Sequence, residues 1–263
     1  MWQWLEAIIL GLIQGLTEFI PISSSGHLVI AQTFLTGVGD HLFLEFINIG
    51  TMLALFVFFR KRIWVILQDI FIRKNYRLAR NIIITALPAG VIGYFLSDFI
   101  GSNVFFASAV TVVFTLLIVG VVMVMLEKLP KASDVATGEK LSWWRALVIG
   151  GAQVVALIPG TSRSGATIIA GRFMGLSPAQ AAEYSFLASL PIMMGVTLKV
   201  LVGDTEYLVE HAGFLLLSNL AAFISGLLAV GFLMRYLAKH SLAVFGWYRI
   251  GLAIILATVL LVQ

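Results

Sequence analysis

The chain has 263 residues, 60% of them hydrophobic and only 11% charged, with a mean hydropathy of +1.02 and a formal charge of +4. So little polar surface cannot cover a soluble globule of this size, which excludes a water-soluble fold and leaves a polytopic membrane protein. Cysteine is absent, which removes disulfides, thiolate nucleophiles and thiolate metal sites.

Taken in order, the chain opens on Met1-Trp2-Gln3-Trp4-Leu5-Glu6, which has neither a basic n-region nor a small-residue cleavage site, so residue 1 is expected to belong to the mature fold. Residues 1–37 are too long for one span and are interrupted by Pro21 and Gly26; they read as a re-entrant hairpin. Apolar stretches of about 20 residues, enough to cross roughly 30 Å of hydrocarbon, follow near 42–59, 81–99 and 104–126. Residues 142–177 repeat the hairpin pattern, and three more stretches lie near 179–202, 212–234 and 243–262. No segment has the dyad alternation of an outer-membrane barrel. The expected fold is an all-α polytopic membrane protein, six transmembrane helices plus two re-entrant helical hairpins in a single membrane domain. Residues 1–126 form one half and 142–263 the other, and an odd number of spans per half makes the repeat inverted.

Charge placement orients the chain. Arg60, Lys61, Arg62, Arg73, Lys74, Arg77 and Arg80 cluster in one connection, Lys128, Lys131, Lys140 and Arg145 in a second, and Arg235 with Lys239 in a third. The positive-inside rule puts these on the cytoplasmic side, with Gly101-Ser-Asn103 and the acidic segment Asp204–Glu210 outside. Orientation accounts for the basic residues, so no nucleic-acid partner is expected. Gly226 and Gly231 can pack against another helix of the chain or of a second copy, which would make a homodimer.

One polar segment occurs twice within this apolar sequence, as Gln14-Gly-Leu-Thr-Glu-Phe-Ile-Pro-Ile-Ser-Ser-Ser-Gly-His27 and Gln153-Val-Val-Ala-Leu-Ile-Pro-Gly-Thr-Ser-Arg-Ser-Gly-Ala166. A shift of 139 positions lays Gln14 on Gln153, Ser23 on Ser162, Ser25 on Ser164, Gly26 on Gly165, Ala31 on Ala170 and Phe34 on Phe173. Only Pro21 and Pro159 fall one out of step. Helix-breaking polar stretches at matching places in two halves point to a site at the middle of a membrane repeat protein, so the two tips are expected to meet. Ile20 and Ile158 precede prolines and should end the descending helices. The serine clusters should then cap two ascending helices, whose N-termini favour an anion such as phosphate.

The copies differ where chemistry would be. Glu18 lies one turn after Gln14, on the same side, and an acid inside a membrane normally faces a cavity or a partner. His27, the only histidine in either tip, opens the first ascending helix within reach of Glu18 and suits proton transfer or nucleophilic attack. His41, His211 and His240 fall in expected loops. Arg163 stands where Ser24 stands in the first copy; its planar fork suits bidentate phosphate binding and can also neutralise Glu18. Arg172, Glu45, Glu183 and Arg249 are expected in supporting positions.

The two motifs, Glu18-Phe-Ile-Pro-Ile-Ser-Ser-Ser-Gly-His27 and Pro159-Gly-Thr-Ser-Arg-Ser-Gly-Ala-Thr167, resemble the signatures of the bacterial undecaprenyl-pyrophosphate phosphatases linked to bacitracin resistance. The resemblance covers the whole chain. It implies removal of the terminal phosphate from a polyprenyl pyrophosphate lipid in the bacterial inner membrane, from a site facing outward, with a divalent cation, Mg2+ or Ca2+. Its acidic motif falls on Gln14 and Glu18, leaving Glu18 as the sole carboxylate there and the one expected metal ligand. The family's functional hydroxyl, histidine and arginine fall on Ser24, His27 and Arg163, while Ser162, Ser164 and Thr167 belong to its second motif. Ser23, Ser25, Gly26 and Gly165 join Gln14 as expected substrate contacts. Serine, histidine and water all remain open as the nucleophile. The Ser-Gly-His triplet also echoes the acid-phosphatase lipid phosphatases, but Ser162-Arg163 lacks the histidine that family needs five residues on. A transporter or flippase of an anionic polyprenyl phosphate is the alternative, because inverted repeats with broken helices are also transporter anatomy. Asymmetry separates the two: Glu18 and His27 face Leu157 and Ala166 in the second copy.

Overall fold

The computed structural model of the chain describes residues 2–35, 41–128, 135 and 137–262. The end of the first expected hairpin, 36–37, and Lys131 lie outside the described residues, as do the side chains of Phe34 and His41. Among the described residues the structure is all helical, without strands.

Two short helix pairs carry the duplicated segment. Helix α1 (Trp2–Phe19) is followed by α2 (Ser24–Phe34), and, in the second half, α10 (Trp143–Val155) by α11 (Arg163–Phe173). In both, the second helix packs back against the first. The serines cap as the motif requires. Ser23 and Ser162 are the N-caps, and their hydroxyls accept from the amides of Gly26 (3.3 Å) and Gly165 (3.1 Å). Both caps are held at positive φ, 76° and 71°. Such backbone costs about 1–3 kcal/mol per residue and persists only when its surroundings impose it. The two tips therefore share a conformation, not only a sequence.

Among the described residues, five helices are long and apolar enough to cross a membrane: Arg77–Phe95, Ala109–Lys128, Pro178–Gly203, Ala212–Leu237 and Ala243–Leu261. They contain or form α6 (Arg77–Phe95), α9 (Ala109–Met125), α12 (Pro178–Gly203), α14 (Ala212–Leu237) and α15 (Ala243–Val262). The stretch expected to cross near 42–59 is different. It is divided into α3 (His41–Phe46) and α4 (Asn48–Phe58), and its extension α5 (Arg60–Phe71) turns away by 71°. Three successive cations, Arg60, Lys61 and Arg62, begin α5, and ammonium and guanidinium groups do not follow an apolar span into hydrocarbon. Much of the basic connection is thus helix. The acidic segment is also helical, as α13 (Thr205–Glu210), and α7 (Ser97–Ser102) and α8 (Val104–Ala107) replace the loop expected near 101–103.

Glycines let the hairpins seat deeply. A Cβ on Gly11 would run into the Ser218 carbonyl of α14, and one on Gly150 would lie 2.8 Å from the Thr85 carbonyl of α6. These two glycines are themselves related by the 139-residue shift. Gly226 packs on Phe19 and Ala54 and Gly231 on Phe58, so the glycine face of α14 is used within the chain. The main core joins α4, α11, α12 and α14 through residues such as Leu55, Ile168, Phe186 and Leu233. Phe19, at the end of α1, stacks edge-on against Phe186 at 5.5 Å, which fixes the tip against α12.

Candidate active site

Glu18 occupies the last turn of α1, and three groups converge on its carboxylate. Its Oε2 accepts from Ser24 Oγ at 2.6 Å and from Gln14 Nε2 at 3.1 Å; its Oε1 pairs with Arg163 Nη2 at 2.6 Å. Ser24 and Arg163 are the first residues of α2 and α11, so the repeat-equivalent positions of both tips touch one carboxylate. The side chains of Glu18 and Arg163 keep 12% and 22% of their exposure, leaving the pair reachable at the edge of the core.

Further contacts bind tip to tip. Ser164 Oγ donates to the Glu18 carbonyl at 3.2 Å, and the Gly160 amide donates to Ser25 Oγ at 3.4 Å. Ser23 with Ser25, and Ser162 with Ser164, form matching hydroxyl pairs at 3.2 and 3.1 Å. The first-turn amides of Ser24, Ser25, Arg163 and Ser164 have no intrahelical acceptor by helix geometry, and two helix dipoles end here. Among the described residues Arg163 makes its side-chain hydrogen bonds, to Glu18 and to Met193 Sδ at 3.4 Å, through Nη2. Nη1 and Nε therefore remain to grip an anion without surrendering the ion pair.

Not every expected site residue joins the cluster. Thr167 is buried one turn into α11, where it donates to the Arg163 carbonyl at 2.8 Å and meets Ser185 Oγ at 2.5 Å. His27 does not hydrogen-bond Glu18. Its Nδ1 donates to the Ser23 carbonyl at 2.7 Å, which leaves the neutral ring's Nε2 as acceptor of the Tyr248 hydroxyl at 2.7 Å, with the two rings stacked. Gln14 also donates to Asn48 Oδ1 at 2.6 Å, whereas its counterpart Gln153 donates to the Thr85 carbonyl at 3.0 Å. The repeat has kept the glutamine and changed its task.

Three participants are inconspicuous in the sequence. Tyr248 orients His27, and Asn48 orients Gln14. Arg249 was expected only in support, yet it is fully buried and donates to the carbonyls of Pro21 (3.3 Å), Gly160 (2.6 Å) and Thr115 (3.3 Å), tying both tips to α9. Thr115 Oγ1 adds a 2.7 Å bond to the Pro159 carbonyl. An arginine inside an apolar span was the available signal for Arg249; nothing local marked Tyr248. Of the other ionisable residues, Glu183 pairs with Arg62 at 3.1 Å. Arg172 reaches the Leu176 carbonyl. Neither contact involves a residue of the tip cluster.

The bacitracin resistance protein BacA family matches residues 7–255. The chain belongs to the BacA family. Similar relatives are an undecaprenyl-diphosphatase of Nitrosomonas europaea, 37% identical over 95% of this chain and 92% of its own, and one of Nitrosospira multiformis, 38% identical over 95% and 93%. Undecaprenyl-diphosphatase 2 of Paramagnetospirillum magneticum is 35% identical over 98% of this chain and the whole of its own.

For a BacA-family chain the fit of a divalent cation can be judged from the donors present. Among the described residues no three His, Cys, Asp or Glu side chains gather. Glu18 offers one carboxylate, in a cluster rich in hydroxyl and amide groups. Magnesium is commonly held by one or two carboxylates together with substrate phosphates and water, so this donor set fits a cation that shares a phosphorylated ligand.

Proposed function

We propose that this chain hydrolyses undecaprenyl pyrophosphate to undecaprenyl phosphate and inorganic phosphate, recycling the lipid carrier of cell-wall polymers. One observation carries the reading: a carboxylate, a hydroxyl and a guanidinium meet at the junction of two helix N-termini, in a chain that aligns over nearly its whole length with undecaprenyl-diphosphatases.

The substrate is an anionic head on a long apolar tail. The tail belongs in lipid beside the helices, which is why the site needs no soluble domain. Arg163, through Nη1 and Nε, and the first-turn amides of α2 and α11 would hold the terminal phosphate. These groups are fixed before substrate arrives, so their attraction for charge developing in the transition state costs no reorganisation. Removing one such donor typically loses about a hundredfold or more in rate.

Ser24 is the favoured nucleophile because its hydroxyl already donates to Glu18 at 2.6 Å. Its Oγ would bond to the terminal phosphorus as Glu18 takes the proton. The bridging phosphorus–oxygen bond then breaks, and the lipid monophosphate leaves with the electron pair. Glu18 would return its proton to the departing phosphate oxygen; free again, it would deprotonate a water whose oxygen bonds to phosphorus as the bond to Ser24 Oγ breaks, and would pass that proton to Ser24, releasing inorganic phosphate. His27, held by Ser23 and Tyr248, stands beside Ser24 in sequence and would serve proton movement around the phosphate. Glu18 would be the protein ligand of a divalent cation, Mg2+ or Ca2+, and such a cation supplies neutralisation of phosphate charge.

The finer architecture follows the same reading. Six spans and an inverted repeat are supported by swapped packing, since α1 of the first half lies on α14 of the second and α10 of the second lies on α6 of the first. Basic residues near 60–80 support a cytoplasmic location for that connection in a bacterial inner membrane, with the tips open outward.

Purified protein in detergent, given a C55 polyprenyl pyrophosphate, is expected to release one phosphate per lipid and to lose that activity with chelator. Lipid moved between the leaflets of vesicles without phosphate release would overturn the reading in favour of a carrier.

A further inference from the structure

Helix α5 carries two apolar stripes, of which the described residues cover one. Ile63 and Ile66 pack against the main core, and the Arg62–Glu183 ion pair, 3.1 Å long, fastens the helix to α12. Trp64, Leu67 and Phe71, spaced three and four apart and so on one face, point elsewhere and are 62%, 39% and 69% exposed. No residue of α5 is fully buried. The exposed stripe continues along α4 through Leu53 and Val57, which are 47% and 41% exposed on a segment apolar enough to count toward a span.

Cations surround this stripe. Residues 60–80 hold seven Lys and Arg and a single acid, Asp69. Arg62 is engaged with Glu183 and Arg73 with Asp69, while Arg60, Lys61, Lys74, Arg77 and Arg80 are exposed and have no carboxylate partner among the described residues. Arg60 rests on the Val57 carbonyl and Arg80 on the Asn81 amide oxygen. The 71° bend prevents α5 from extending the span and sets it across the end of α4.

We propose that α5 is an interfacial helix that seats Trp64, Leu67 and Phe71 at the boundary of headgroups and acyl chains, while Arg60, Lys61, Lys74, Arg77 and Arg80 hold anionic phospholipid headgroups. The pairing of features selects this occupant. An apolar stripe continuous with the exposed face of a span-forming helix needs hydrocarbon, and five exposed cations beside it, without a carboxylate among the described residues, need phosphate; an anionic leaflet supplies both at one depth. The site lies outside the tip cluster and stands or falls independently of the phosphatase reading.

The cysteine-free sequence makes the test direct. A Leu67→Cys variant of the full chain, labelled with an environment-sensitive fluorophore, is reconstituted into phosphatidylcholine vesicles with and without phosphatidylglycerol; Phe71→Cys serves as a second label position. Quenching by lipids spin-labelled high on the acyl chain should exceed quenching by aqueous iodide, and phosphatidylglycerol should deepen the protection at least threefold. The combined Arg60→Gln, Lys61→Gln, Lys74→Gln and Arg77→Gln variant should lose that dependence at unchanged helix content. Ready access of iodide at both positions, no effect of phosphatidylglycerol on the labelled protein, or an undiminished effect in the neutralised variant would each overturn the proposal.

Discussion

Arg163 and Glu18 lie 145 positions apart in the chain, yet their side chains meet at 2.6 Å and close the junction between the two hairpin tips. Each is largely screened from solvent, so each depends on the other for charge balance. Coupling should follow. Glu18→Gln and Arg163→Ala are each expected to destabilise the protein by about 1–3 kcal/mol, less than a fully buried pair because both remain partly exposed. The double variant should lose clearly less than the sum. Chemical unfolding of the four proteins in detergent measures this coupling, which contacting residues typically show at about 0.5–3 kcal/mol.

Tyr248 acts through His27. Tyr248→Phe keeps the stacked ring and removes the hydroxyl that donates to Nε2, so the imidazole loses its anchor at one end. We expect kcat to fall about tenfold, the value of roughly one hydrogen bond of 1.4 kcal/mol, with little change in KM. A KM effect alone would mean that Tyr248 touches substrate instead.

Arg249 holds three backbone carbonyls from three segments and is fully buried. Arg249→Met should lower stability by about 3 kcal/mol or more, because carbonyls of both tips lose their donors together. Arg249→Lys retains charge but not the planar fork, and should recover only part of the loss. Thermal unfolding in detergent distinguishes the three proteins.

Gly160 combines a φ of +83° with the close approach of Thr115 and Val112. Gly160→Ala would add strain to a collision, at a cost above about 1 kcal/mol. Since Gly160 also contacts Ser25 and Arg249, activity should drop further than stability alone predicts. Comparison of turnover with the folded fraction at one temperature separates the two effects.

Much of the site was legible because the duplication states it twice. Gln14 on Gln153 and Ser23 on Ser162 gave the register, and the caps and tip contacts follow that register down to the matching positive φ. The pairing of Arg163 with Glu18 was also open to inference, since a cation and an acid at facing helix breaks have few other partners inside a membrane. Tyr248 was not legible as a site residue, and Arg249 was legible only as a supporting ion inside a span, not as the tie between the tips. The partners of both arise from the packing of α15 on α9 and the tips, a relation among distant segments that no local pattern states. The bend before α5 was hidden for another reason: the hydropathy of 42–59 reads as a span, and only the run of cations after Phe59 hints that the helix turns aside.

The central claim is that the Glu18, Ser24 and Arg163 cluster is the catalytic centre. The most direct measurement is the rate of phosphate release from a polyprenyl pyrophosphate by wild type and by Glu18→Gln, Ser24→Ala and Arg163→Ala, each shown to be folded. The account predicts losses of about a hundredfold or more in every variant. Folded variants that turn over within about twofold of wild type, far short of the effect of a general base or an oxyanion donor, would contradict it.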